Sequence, residues 1–178
     1  MTIHKGMRPQ DIVVLLKIVA LGDTEWLGKD LAKDLMLSKS AICESLARSS
    51  YAGLLELDKR TVNRQAVYDF LVNGLKYVFP IHAGTVALGI PTGSVAPILR
   101  DYFPKETLYV WPTPKGETRG LLIEPLYPGA TKAAELDPFL YDLLALCDVF
   151  RVGKPKEIKK AGELLRNILG QGEDYISC

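Results

Sequence analysis

Within the run SKSAICESLAR, Ser38 to Arg48, hydroxyls, a thiol, a carboxylate and two cations recur at helical spacing. At about 100° per residue, Ile42 and Leu46 share one face of such a helix, and Ser40, Glu44, Ala47 and Arg48 lie on the opposite one. Ser38, Lys39, Ser40, Cys43, Glu44 and Arg48 form a set suited to hydrogen bonding with base edges and phosphates in the major groove of duplex DNA, which admits one helix. Lys29 and Lys33 upstream, with Arg60 and Arg64 downstream, supply cations for the phosphate backbone that dominates affinity. Glu44 is the discordant member, because a carboxylate near phosphates repels them unless it accepts from a cytosine amino group.

Bond-making chemistry finds less support. His4 and His82 stand apart from cysteines and from acidic clusters, so no metal site is expected. Cys43 sits near a helix N-terminus, where thiolate is favoured, but it has no evident resolving cysteine, and a filler role suits it better than redox sensing. In GIPTGSVAPIL, Gly89 and Gly93 flank Thr92 and Ser94, yet the Gly-Lys-Ser/Thr ending of a phosphate loop is missing; the stretch reads as a turn beneath an apolar strand. The cluster Arg151, Lys154, Lys156, Lys159 and Lys160 is interleaved with Glu157 and Glu163 and reads as a solvated helix face. Other carboxylates alternate with lysines at helical spacing, the pattern of surface charge pairing. No enzymatic activity and no cofactor is expected.

The elements that would position the Ser38–Arg48 set are legible around it. Ile12, Val13, Leu16, Val19 and Ala20 predict a first helix, with Pro9 in its first turn and Gly22 at its end. Leu27, Leu31, Ala32 and Leu35 predict a short second helix, capped by Asp23 or Thr24. Ser38 is placed to cap a third helix that starts at about Lys39 and ends before Gly53. Ala66, Val67, Phe70 and Leu71 predict a fourth helix in place of the two-stranded hairpin that often follows such a unit. In the Pro- and Gly-rich stretch 80–128, TLYVW and GLLIEPLY predict a β-hairpin with PTPKGETR as its long loop. Helices at 138–150 and 155–169 close the chain before a loose tail, GQGEDYISC.

The stretch LGKDLAKDLMLSKSAICESLARSSYAGLL, Leu27 to Leu55, resembles the MarR-like winged helix-turn-helix regulators of bacteria. The resemblance makes Leu31, Ala32, Leu37, Ser38, Ile42, Leu46 and Gly53 scaffold positions, and Lys39, Ser40, Cys43, Glu44 and Arg48 DNA-facing ones. YVFP, EPLYP and LLALCDVFRVGKPKE look like an uncharacterised group of bacterial regulators.

The 178 residues, 48% hydrophobic and 24% charged, are long enough for a core that needs no disulfide or metal. Three separated cysteines and no uninterrupted apolar run of membrane length fit a soluble cytoplasmic protein. A net charge of +1 restricts any nucleic-acid footprint to a local patch. We therefore expect an α+β, mainly helical chain in three parts: a helix-turn-helix unit at 7–79, a hairpin-bearing segment at 80–128, and a C-terminal helical pair with tail at 129–178. The expected function is sequence-specific regulation through double-stranded DNA, as a homodimer whose reading helices lie about 34 Å apart and whose contact is made by the C-terminal helices. The aromatics Tyr102, Phe103, Tyr109, Trp111, Tyr127, Phe139, Tyr141 and Phe150 suit a core or a small-molecule effector pocket. The alternative is a module of the same shape that docks a protein partner, such as an antitoxin with its neighbouring gene product.

Overall fold

The computed structural model describes residues 6–104 and 106–170. His4, Cys178 and the segment after Gly170 lie outside the described residues. The architecture is α+β and mainly helical, with one small sheet.

Helix α1, Pro9–Leu21, is the centre of the core, with every residue from Asp11 to Val19 buried. Proline at its first position fits the fixed φ of a helix start, Asp11 accepts from the Arg8 amide at 2.8 Å, and Gly22 ends it at φ 55°. Helix α2, Gly28–Asp34, is capped from within: Asp30 accepts from the Leu27 amide at 3.0 Å, so the cap expected from Asp23 or Thr24 is a residue inside the helix. The turn into α3, Lys39–Tyr51, passes through Met36 at φ 53°, and the Leu37 amide closes back on the Ala32 carbonyl at 2.9 Å. Ser38 caps α3 as expected, its Oγ accepting from the Ala41 amide at 3.0 Å.

A short hairpin follows α3, where a helix alone was expected. Leu55 bridges Val62, the Glu56 amide donates to the Thr61 carbonyl at 2.8 Å, and the Asn63 amide to that of Leu54 at 3.1 Å. Asp58 builds the tip by accepting from the Arg60 and Thr61 amides and the Thr61 hydroxyl at 2.6–2.9 Å. That is an Asx-type turn between strands too short to show a period of two. The expected fourth helix does form just after it, as α4, Arg64–Asp69, a π turn Phe70–Gly74, and α5, Leu75–Val78.

The expected hairpin between TLYVW and GLLIEPLY is overturned. Strands β2, Tyr109–Pro112, and β3, Thr118–Leu122, touch in parallel at Tyr109–Leu121 and Val110–Leu122. Each instead pairs antiparallel with β1, Val86–Thr92, which holds β3 on its first half and β2 on its second, closing a three-stranded barrel. Closure this tight requires a bare backbone at Gly89, where an added Cβ would stand 2.0 Å from the Trp111 carbonyl oxygen. A 3-10 turn at Gly93–Val95 follows β1.

Three helices complete the chain rather than a pair: α6, Ala130–Leu136; α7, Pro138–Val152; and α8, Pro155–Gly170. Helix α7 touches α1 on one side and the turn after β1 on another, and one apolar core runs from Ile12 to Leu169 across position 80. The apolar face of α8, through Ala161, Leu165 and Leu169, is buried against α7 and α4 of the same chain. The dimer contact expected from these helices therefore loses the surface on which it rested.

Candidate nucleic-acid interface

Helix α3 has two unlike sides. Inward, Ile42, Ser45, Arg48 and Ser49 are buried, with α1 and α2 as its neighbours. Outward, Lys39, Ser40, Cys43, Glu44, Ala47 and Tyr51 are exposed along the helix. Five of the ten residues read from the sequence as DNA contacts thus share this surface or its rim: Ser38, Lys39, Ser40, Cys43 and Glu44. Lys29 and Lys33 are exposed on α2. Tyr51 was missed, although it lies four residues beyond Ala47 on the outward stripe.

Arg48 does not face outward. Its Nε and Nη2 donate to the two carboxylate oxygens of Asp11 at 2.8 and 2.7 Å, both groups buried, and its Nη1 stands 3.4 Å from Glu44. The hydrogen bonds to Asp11 raise the guanidinium pKa further. A planar fork matched to a carboxylate locks α1 to α3, and the charge that sequence spacing assigned to phosphates is neutralised inside the protein.

Two further cations are engaged at home. The Arg60 guanidinium lies 4.9 Å from the Trp26 ring centre and donates to the Trp26 carbonyl at 3.1 Å. Arg64 donates to the Leu169 carbonyl at 3.3 Å, near the C-terminal end of α8. From Asp23 to Arg60, the five exposed cations Lys29, Lys33, Lys39, Lys59 and Arg60 are outnumbered by the six exposed carboxylates Asp23, Glu25, Asp30, Glu44, Glu56 and Asp58. The surface is close to neutral, and Lys29, Lys39, Arg48 and Arg64 make no continuous positive stripe, since Arg48 is paired with Asp11 and Arg64 is turned to the Leu169 carbonyl.

The remaining chemistry-bearing residues serve the fold. Lys17 is buried and bridges Asp34 at 3.1 Å and Asp137 at 2.8 Å. Burial works against its ammonium, but the two carboxylates outweigh it and its pKa rises. Thr92, in the stretch weighed as a phosphate loop, is buried and donates to Asp148 at 2.7 Å, as does the Trp111 indole at the same distance, while Arg151 reaches the other oxygen at 3.0 Å. Burial raises the Asp148 pKa, and those donors counter only part of the effect. Burial also pushes the Cys147 thiol up, which keeps it protonated. Among the described residues no group of three His, Cys, Asp or Glu is placed to hold a metal, and no helix is long and apolar enough to cross a membrane.

Comparison with protein-family models, curated proteins and solved structures yields no match for this chain.

Proposed function

We propose that the α2–α3 unit and the hairpin after it form a small winged helix-turn-helix that binds duplex DNA as a transcriptional regulator. One observation carries the reading: α3 is capped at the end that would enter the groove, its outward side chains Lys39, Ser40, Cys43 and Ala47 are exposed, and the short hairpin that follows it holds the exposed Lys59 at its tip. Base edges are then read from Ser40, Cys43 and Glu44, with Glu44 restricted to a cytosine amino group, and Lys29, Lys33, Lys39 and Lys59 hold phosphates. Binding as a homodimer places two such helices in successive major grooves.

The near-neutral surface favours a second reading, in which the same unit docks a protein partner. Binding of a randomised duplex pool at two salt concentrations separates the two. Four phosphate-holding lysines per protomer, hence eight per dimer, set a salt slope of roughly −7, and Lys39→Ala, which removes one from each protomer, lowers its magnitude by about 2. A folded protein that retains no duplex even at low salt rejects DNA binding and leaves partner docking.

A further inference from the structure

A cleft of about 660 Å³ opens between the end of β2, the 124–128 segment and α6. Its size falls within the usual range for small-molecule sites. Pro112, Pro125, Pro128 and Tyr127 give it stiff, largely apolar walls. Lys115, Lys132, Glu124 and Glu135 also line it, all four exposed, and among the described residues none has an ion-pair partner. Both signs of charge over apolar walls complement a molecule that carries an amine and a carboxylate on an apolar body.

One wall residue reaches the α2–α3 unit. The Tyr127 side chain is buried, and its hydroxyl donates to the carbonyl of Leu35, the residue that ends α2 and opens the turn into α3. Gly129 leaves room for the ring: a Cβ there would stand 2.6 Å from it. Tyr127 is thus shared by the cleft and the turn, and a ligand that shifts the ring moves a hydrogen bond in the turn that orients α3.

We propose that this cleft binds a zwitterionic ligand of di- or tripeptide size and that Tyr127 relays its occupancy to the turn between α2 and α3. The proposal holds whatever α3 contacts, so its test reads the protein without DNA. Unblocked alanine-X-alanine tripeptides, with X each large apolar residue, are titrated while backbone amide shifts are followed at Thr131 and Lys132 in the cleft and at Leu37 and Ser38 in the turn. At least one peptide is expected to give saturable shifts at both places with a single Kd, its acetylated and amidated form to bind at least about tenfold more weakly, and Lys132→Glu to weaken it as well. Tyr127→Phe is expected to keep the cleft shifts and lose those in the turn. No saturable shift at millimolar peptide, or equal binding of the blocked form, overturns the site. Turn shifts that persist in Tyr127→Phe overturn the relay; if that variant fails to fold, different Kd values at cleft and turn in the wild type do the same.

Discussion

The two halves of the molecule neutralise buried charge in different ways. Around α1 the solution is ionic: Asp11 holds Arg48, and Lys17 holds Asp34 and Asp137. At the barrel a carboxylate is held largely by neutral donors, since Asp148 accepts from the Thr92 hydroxyl and the Trp111 indole with Arg151, among the described residues, as its one cation. In the first half, removal of one partner strands a full charge; in the second, removal of Asp148 strands two neutral donors and a guanidinium that still donates to the Phe79 and Glu124 carbonyls. The ionic solution also consumes cations, which is why the α2–α3 surface is poorer in positive charge than its sequence suggests.

The largest effect expected from this contrast is at Arg48. Arg48→Ala leaves Asp11 buried without its guanidinium and is expected to cost about 3–5 kcal/mol in a urea titration, whereas the apolar pair Asp11→Leu with Arg48→Met recovers most of that loss. If Arg48→Ala kept full stability but abolished duplex binding, the inward assignment of this residue would be wrong. Next comes Asp148→Leu, which orphans two neutral donors and one guanidinium and is expected to cost about 3 kcal/mol. A loss larger than that at Arg48 would reverse the ranking of the two halves.

Proton linkage sharpens the same contrast because Asp137, the N-cap of α7, and Asp148, within it, are shifted in opposite directions. Burial pushes Asp137 up, but Lys17 and the amides of Leu140 and Phe139 outweigh it, so its folded pKa is lowered. Its stabilisation is present above the unfolded value near 4 and is lost as pH falls through the folded one. Asp148 is raised, so its contribution has the opposite sign: greatest below about pH 4 and lost as pH rises through the folded pKa. Asp148→Asn, which cannot ionise, is accordingly expected to gain stability relative to wild type as pH rises from 4 towards 7, and Asp137→Asn to be less stable than wild type above about pH 4 and to close that gap as pH falls below it. Parallel stability profiles for the two variants would contradict the distinction.

Smaller effects test the backbone and the α1–α3 contact. Met36 lies in the left-handed region, which costs a residue with a Cβ about 1–2 kcal/mol, so Met36→Gly is expected to raise the unfolding free energy by about 1 kcal/mol. The Ser45 hydroxyl is buried on the face of α3 turned inward and has no hydrogen-bond partner among the described residues. Ser45→Ala removes that unmet group and is expected to stabilise by up to about 1 kcal/mol, the least of these changes.

Local signals carried much of the reading. Apolar spacing located α1, α2, α3 and the helix after Asn63, because helical periodicity is written within a few turns of chain. Ser38 was recognisable as a cap because its oxygen bonds an amide only three residues on. The same locality accounts for the failures. The Leu55–Val62 bridge is too short to show alternation, and β2 and β3 are organised by β1, more than fifteen residues away in sequence, and not by each other. Helix α6, rich in alanine and only seven residues long, offers little hydrophobic contrast.

What the sequence by itself determined, then, is where helices begin and end and which residues lie on the apolar side of each, since propensity, capping and periodicity act over short spans. Which polar residues remain available was decided only by the tertiary structure. Lys39 and Arg48 look equally free along α3, and they part only when α1 brings Asp11 across 37 positions to meet one of them. Tyr127 likewise gains its link to Leu35 through a contact between residues 92 positions apart. Charge neutralisation in a core depends on distances that sequence spacing does not encode, and it overrides the outward assignment of a side chain wherever a buried partner lies within reach.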